Sequence, residues 1–121
     1  MGENQNPKQY DLEDRTFEFA KRVRAFVRKV HKDIPNIEDA RQVVRSSGSV
    51  GANYIEANEA LSKKDFLMRA KICRKEAKES RFWLRLICSG DDDWCEKERV
   101  SLVQEAKELT SIFGAIVTRS Q

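Results

Sequence analysis

The sequence predicts an all-α protein with the architecture of an antiparallel up-down-up-down four-helix bundle. Alanine, leucine and the long charged residues are plentiful in the 121-residue chain, whereas only 5 glycines and 2 prolines interrupt it. Apolar residues recur at spacings of three and four, the period of an amphipathic helix. The length fits one domain, and turn signals divide it into four amphipathic segments joined by short turns.

The predicted order is a disordered N-terminal tail followed by four helices. The tail covers residues 1–10, and the helices cover about 12–33, 37–61, 63–89 and 94–118. The first helix ends at Ile34-Pro35, because a residue before proline is disfavoured in the helical region. Asn36 is then placed to cap the second helix. The inward stripe predicted for the first helix consists of Ala20, Val23, Val27, Val30 and Ile34.

The second helix contains the unusual stretch VRSSGSVGANYIEA, residues 44–57. Glycine and serine are typical of loops, so one interpretation is a kinked or interrupted helix with a loop at 46–51. Helical spacing nevertheless continues through the stretch, which favours a continuous helix whose small side chains allow close packing within or between subunits. The core side of this helix consists of Val43, Val50, Tyr54, Ala57 and Leu61.

Start and stop signals delimit the third and fourth helices. Ser62 is predicted to cap the third helix, with Leu61 packing against Phe66, and Gly90 is predicted to end it. The acids of DDD, residues 91–93, are interpreted as capping acids of the fourth helix. The predicted core of the third helix is Phe66, Ala70, Cys73, Ala77, Ser80, Leu84 and Ile87. That of the fourth is Leu102, Ala106, Leu109, Phe113 and Ile116.

A basic arc away from the core of the third helix predicts a surface for nucleic acid. Each cation near a phosphate releases a condensed counterion, so such an arc suits RNA or DNA backbone. Arg24, Arg28 and Lys32 extend it if the first and third helices adjoin. The alternative is a solvated face kept soluble by charge. The candidate nucleic-acid-binding residues are Lys64, Lys71, Arg74, Lys75, Lys78, Arg81 and Arg85.

A second surface predicts association between subunits. The outer side of the second helix is small and polar, and a flank of the third mixes apolar residues with acids that need partners. The alternative is scattered surface residues. The candidate oligomer-interface residues are Arg45, Ser49, Ala52, Asn53, Glu56, Ile72, Glu76 and Trp83.

The sequence offers no catalytic set, metal site or cofactor motif. The single histidine, His31, is interpreted as a surface residue, and GSVG lacks the lysine and the strand of a phosphate loop. Three cysteines without a CxxC pair fit a reducing compartment. We therefore expect a cytoplasmic protein that is not an enzyme and has no membrane partner.

Four motifs resemble a known family. DLEDRTFEFA at 11–20, RSSGSVGANYIEA at 45–57, SKKDF at 62–66 and KEAKESRFWLRL at 75–86 are similar to the four-helix-bundle proteins encoded in intervening sequences of bacterial 23S ribosomal RNA genes. The resemblance implies a bacterial, cytoplasmic homopentameric ring. It also implies a distant relation to the accessory variability protein of diversity-generating retroelements, a basic pentamer that binds nucleic acid and a reverse transcriptase.

The family resemblance also implies structural and assembly roles for matched residues. In the small-residue motif these are Arg45, Ser46, Ser49, Gly51, Ala52, Asn53, Glu56 and Ala57. In the third-helix motif they are Lys75, Glu76, Ala77, Glu79, Trp83 and Leu84. The leading functional hypothesis is an oligomeric adaptor that binds RNA or DNA backbone. The alternatives are a scaffold for a protein partner and a hydrolase or metal enzyme.

Overall fold

The structure, a computed structural model, describes residues 7–121, with side chains from Leu12 onward. Its elements are α1 (Pro7–Lys29), α2 (Ile34–Asn58), α3 (Lys63–Leu86) and α4 (Asp93–Ser120), with no strand in this part of the chain. The predicted all-α four-helix fold is confirmed. Of the predicted tail, residues 1–6 lie outside the described residues, whereas residues 7–10 belong to α1.

The four helices pack around one core with α1 and α3 at diagonal positions. α2 and α4 each lie beside both α1 and α3, but the backbones of α1 and α3 do not approach each other within the described residues. The outer face of α3 therefore stands on the opposite side of the bundle from α1.

The buried side chains confirm most of the predicted core of α3 and α4 and correct that of α1. Phe66 and Ile116, predicted in these cores, are only half-buried, and Val117 is buried instead near the end of α4. The confirmed core residues are Ala70, Cys73, Ala77, Ser80 and Leu84 of α3, Ile87 just after it, and Leu102, Ala106, Leu109 and Phe113 of α4. On α1, Phe19 and Phe26 are buried beside Val23, whereas Ala20 and Val27 lie at the edge. The predicted stripe and the observed one both have helical spacing, but the observed stripe contains the two phenylalanines, which bury more apolar area than the residues predicted in their place.

The link between α1 and α2 differs from the prediction. Asp33, not Asn36, caps α2, and its carboxylate accepts a hydrogen bond from the Asn36 N–H at 2.9 Å. Pro35 therefore lies in the first turn of α2, where proline needs no backbone partner. Ile34, predicted in the core, is 78% exposed at the helix start.

The buried Asn36 side chain joins this link to the turn between α3 and α4. Its Nδ2 donates to the carbonyl oxygens of His31 and Cys88, both at 2.9 Å. Its Oδ1 accepts from the Cys88 N–H at 3.0 Å. These bonds stabilise Cys88 beyond the end of α3, which stops at Leu86 rather than at residue 89.

The remaining helix ends confirm the capping residues and correct two apolar predictions. Ser62 caps α3 with its Oγ 3.0 Å from the Asp65 N–H, and Asp92 caps α4. α2 ends at Asn58, so Leu61 is fully exposed, neither in the core nor packed on Phe66. Gly90 does not end α3 directly; it occupies the following turn at φ 62°, which favours glycine.

The glycine and serine stretch is part of a continuous α2, which confirms the helical interpretation over the loop. Gly51 lies against α1, since a Cβ added there would stand 3.0 Å from the Oγ1 of Thr16. On the α3 side, the hydroxyls of Ser46 and Ser80 are 2.8 Å apart. The small residues therefore admit α1 on one side of α2 and α3 on the other, within one subunit.

Candidate nucleic-acid interface

The seven predicted nucleic-acid-binding residues lie along one side of α3, and we call them the basic stripe. Helical spacing places them there, because residues three, four and seven apart share a side of a helix. Two of them are half-buried, Arg74 and Arg81, and the other five are exposed: Lys64, Lys71, Lys75, Lys78 and Arg85.

The two half-buried arginines mark the edge of the basic stripe that faces α4. A Cβ added to Gly114 of α4 would stand 3.8 Å from the Cδ of Arg74, so the aliphatic stem of that arginine lies against α4. The Nε of Arg81 is buried and has no hydrogen-bond partner among the described residues. Packing of the stems holds both guanidinium groups beside the exposed lysines.

An open groove of about 410 Å³ runs over the basic stripe. Four stripe residues line it together with Glu79 and Phe82. Phe82 is 53% exposed and was not among the predicted site residues. The signal for it was its position, four residues after Lys78 and three before Arg85, which places the ring inside the basic arc.

Four arginines on other surfaces, Arg15, Arg22, Arg45 and Arg99, form ion pairs within the chain. Arg15 pairs with Glu105 and Glu108, both at 2.7 Å, and the hydrogen bond that it donates to Glu105 raises the pKa of the guanidinium. Arg99 lies 2.8 Å from Glu96, and its hydrogen bond lowers the pKa of that exposed carboxyl to about 2. These pairs neutralise much of the charge on the surfaces where they occur.

The basic stripe has no such neutralisation within residues 12–121. None of the ion pairs between described side chains includes a stripe residue. The one acid beside the groove, Glu79, lies 3.4 Å from Arg45 of α2 on its other side. The charge of the stripe is therefore available to an external anion.

The stripe does not extend through α1, because the condition for that extension, that the first and third helices adjoin, is not met. The backbones of α1 and α3 do not approach each other in the described part of the chain. Arg24 reaches α2 instead and donates to the carbonyl of Val44 at 3.3 Å. Lys32 donates to carbonyl oxygens near the end of α1, including that of Arg28 at 3.1 Å. Arg28 lies on the same helix, on the far side of the bundle from the stripe.

The predicted interface residues lie along the seam between α2 and α3, and we call this surface the α2–α3 flank. Asn53 donates to the carbonyl oxygen and the Oγ of Ser49, both at 2.9 Å, and accepts from Arg69 at 3.0 Å. The exposed members of the flank are Arg45, Ala52 and Glu56. The half-buried members are Ser49, Asn53, Ile72 and Trp83.

Glu76 is the one buried member of the flank, at 8% exposure. Its carboxylate lies 3.4 Å from the guanidinium of Arg45, which is itself largely exposed. The Oε1 of Glu76 and the Nε1 of Trp83 are buried without a hydrogen-bond partner among the described residues. Buried polar atoms usually have partners, so the flank is incompletely satisfied in the isolated chain.

The Cys73 thiol lies in the core. Burial raises the pKa of the Cys73 thiol to about 12, and its Sγ lies 3.4 Å from the Val50 carbonyl oxygen.

No group of three His, Cys, Asp or Glu side chains in the described part of the chain is placed to hold a metal ion. An apolar groove of about 580 Å³ lies beside the link between α1 and α2, with His31 at its edge. None of the described helices combines the length and apolarity that a membrane span needs.

Comparison with known proteins identifies the family. The model of the 23S rRNA-intervening sequence protein family matches residues 8–114. The chain belongs to this family. A solved structure from Bacteroides thetaiotaomicron VPI-5482, described as a protein with unknown function from the S23 ribosomal protein family, is 26% identical to this member, with a TM-score of 0.73. The match covers 87% of this chain and 96% of that one. The curated proteins include no match.

Family membership confirms the resemblance seen in the four sequence motifs. All four motifs, which span residues 11–86, lie inside the matched range. Two of them, RSSGSVGANYIEA and KEAKESRFWLRL, form the facing parts of α2 and α3, where Ser46 contacts Ser80 and Arg45 pairs with Glu76.

Proposed function

We propose that this member of the 23S rRNA-intervening sequence protein family is a non-enzymatic homo-oligomer that binds RNA or DNA backbone through the basic stripe of α3. One observation carries the proposal: seven cations share one side of a helix and have no ion-pair partner among the described residues. Elsewhere Arg15, Arg22, Arg45 and Arg99 are each paired with an acid. Other cations, such as Lys21, Lys97 and Arg119, also have no ion-pair partner among the described residues, so the stripe is distinguished by its seven cations on one side of one helix.

Phosphate is the ligand chemistry that suits the stripe. Lysine and arginine near a phosphate release condensed counterions, so binding is favourable at low salt and largely independent of sequence. Four of the seven stripe residues are lysines, which act as mobile point charges rather than as rigid forks that read a base edge. The half-buried Arg74 and Arg81 supply two better-fixed donors at its edge.

Association between subunits is the second part of the proposal. Glu76 Oε1 and Trp83 Nε1, which are buried without a hydrogen bond among the described residues, support it, because packing of a neighbour on the flank would rearrange Arg45 and supply new partners. A pentamer is the number that the family resemblance implies. A symmetric assembly repeats the stripe on every subunit, so weak contacts with one long nucleic acid add up to useful avidity.

We further propose that the protein acts in the bacterial cytoplasm and performs no catalysis. Free cysteines at positions 73, 88 and 95 support the reducing compartment. The high pKa of the Cys73 thiol keeps it protonated and unreactive at neutral pH. The distant relation to the accessory variability protein stays a prediction; it agrees with nucleic-acid binding but does not carry the proposal.

A scaffold for a protein partner is the second candidate function. Apolar side chains on the outside of α3, Met68 at 47% and Leu86 at 52% exposure, favour it. Such a scaffold shows no appreciable nucleic-acid binding at moderate salt and retains a specific protein. The salt dependence of RNA binding separates the two functions.

The test of the proposed function is reversal of three exposed stripe lysines. The variant K71E/K75E/K78E is compared with K21E/K97E/R119E, which makes the same change in charge with exposed residues of α1 and α4. Fluorescence anisotropy with a labelled RNA at about 50 mM salt gives both affinities. We expect the stripe variant to lose binding and the control variant to retain most of it. Equal binding by the two variants would contradict the assignment.

A further inference from the structure

Phe82 is the one aromatic side chain in the groove over the basic stripe. Lys71, Arg74, Lys75 and Lys78 line that groove with it. The ring meets Trp83 at a centroid distance of 5.0 Å and an angle of 80°, an edge-to-face contact that restricts its position. About half of the side chain, 53%, is nevertheless exposed.

An exposed aromatic among cations suits one form of nucleic acid better than others. Lysines bind the phosphates, and an aromatic ring offers a platform on which an unpaired base stacks. In a duplex each base face is covered by its neighbours, so a surface ring on the outside of a helix finds no base to stack on. A row of cations without Phe82 would fit single-stranded and duplex nucleic acid alike.

We propose that the groove takes single-stranded nucleic acid, with a base stacked on Phe82 and phosphates on the neighbouring lysines. This inference rests on the proposed function and adds to it the form of the ligand. Lys71, Lys75, Lys78 and Phe82 succeed one another at about one helical turn, roughly 5 Å of rise each. The strand follows the helix axis along this row.

A single strand fits the surroundings of Phe82 better than those of the other exposed aromatic side chains among the described residues. Phe17 of α1 is also a large exposed aromatic residue. The Lys21 ammonium lies 5.9 Å from the centroid of its ring, but the acids Glu13, Asp14 and Glu18 are close to it along the same helix. Trp94 of α4 is covered by Lys29 at 4.6 Å. Phe82 is thus the exposed aromatic whose neighbours are mostly cationic and whose ring carries no cation.

The test compares a single strand of about 12 nucleotides with its own duplex, each labelled for fluorescence anisotropy at about 150 mM salt. We expect wild-type protein to prefer the single strand. F82A should weaken single-strand binding by roughly tenfold or more and leave duplex binding within about twofold, because only stacking is lost. F82W should restore the affinity. M68A, which truncates another exposed apolar residue of α3 outside the groove, should bind like wild type.

The outcomes separate the inference from the proposed function. The stacking inference is overturned if F82A binds the single strand as tightly as wild type, or if wild-type protein prefers the duplex. The proposed function survives either result, provided that K71E/K75E/K78E abolishes binding. Binding that survives K71E/K75E/K78E overturns the proposed function itself. Thermal melting of F82A within a few degrees of wild type establishes that any loss is local.

Discussion

At the scale of single residues, Gly48 and Gly51 lie about one turn apart on α2 but meet different neighbours. A Cβ at Gly48 would meet the tip of the Arg24 guanidinium at 3.1 Å, the far end of a flexible side chain that can shift at the cost of its long hydrogen bond to the Val44 carbonyl. A Cβ at Gly51 would meet Thr16 at 3.0 Å for Oγ1 and 3.3 Å for Cβ, close to the backbone of α1. Only the second glycine sets the distance between the two helices.

The two glycine-to-alanine variants should therefore differ in stability. Alanine gains up to about 1 kcal/mol of helix propensity at either position. At Gly51 overpacking against Thr16 opposes this gain with about 1–3 kcal/mol. We expect G48A to be neutral or stabilising and G51A to be less stable than G48A by about 1–2 kcal/mol, measured by urea unfolding. Equal stabilities would show that α1 shifts without strain at Gly51.

At the scale of elements, Asn36 connects the α1–α2 link with the α3–α4 turn through three hydrogen bonds to His31 and Cys88. Removal of the amide leaves one N–H and two carbonyl groups without these partners in a partly buried place. N36A should destabilise the protein by roughly 2–3 kcal/mol in urea unfolding.

The matched control is N58A. Asn58 also stands on α2, but its Nδ2 bonds the exposed Glu13 carboxylate at 2.9 Å, so its loss should have an effect of about 0.5 kcal/mol. An N36A variant no less stable than N58A would contradict the connecting role of Asn36.

Sequence patterns predicted some elements better than others, for physical reasons. The core of α3 was clear because its apolar positions are flanked by lysines, arginines and glutamates, which leaves one register. α1 admitted two registers, and the period alone does not say that Phe19 and Phe26 fill the interior. The cap of α2 was misplaced because the contact that occupies Asn36 comes from Cys88, more than fifty residues along the chain.

The candidate site divides in the same way. A helical wheel finds the basic stripe, because it depends only on spacing within α3. The pattern within one helix does not determine the order of helices around the bundle. The sequence therefore left open whether the first and third helices adjoin, which was the condition for an extension through Arg24, Arg28 and Lys32, and the structure shows that they do not. Phe82 was missed because the stripe was identified from charged residues alone, without considering which aromatic residue lies on the same side of α3.

At the scale of the whole molecule, the basic stripe and the α2–α3 flank both involve α3 but use different sides of it. Ala52 is an exposed small residue at the outer edge of the flank. Arginine at position 52 is compatible with the helix, but its long side chain would prevent a second subunit from packing closely on the flank. A52R should therefore dissociate the proposed oligomer. A25R places the same side chain on an exposed site of α1 and should leave the assembly intact. Sedimentation velocity of both variants checks this; an A52R oligomer would exclude the flank as the interface.

The central claim is that an assembly of this chain binds nucleic acid through charge. Light scattering coupled to size exclusion tests it most directly, on wild-type protein with and without a single-stranded RNA, at about 50 mM and about 200 mM salt. We predict a mass several times that of the chain at both salts, with added RNA mass at the lower salt that falls steeply at the higher. A monomer that gains no RNA mass at either salt would contradict the account.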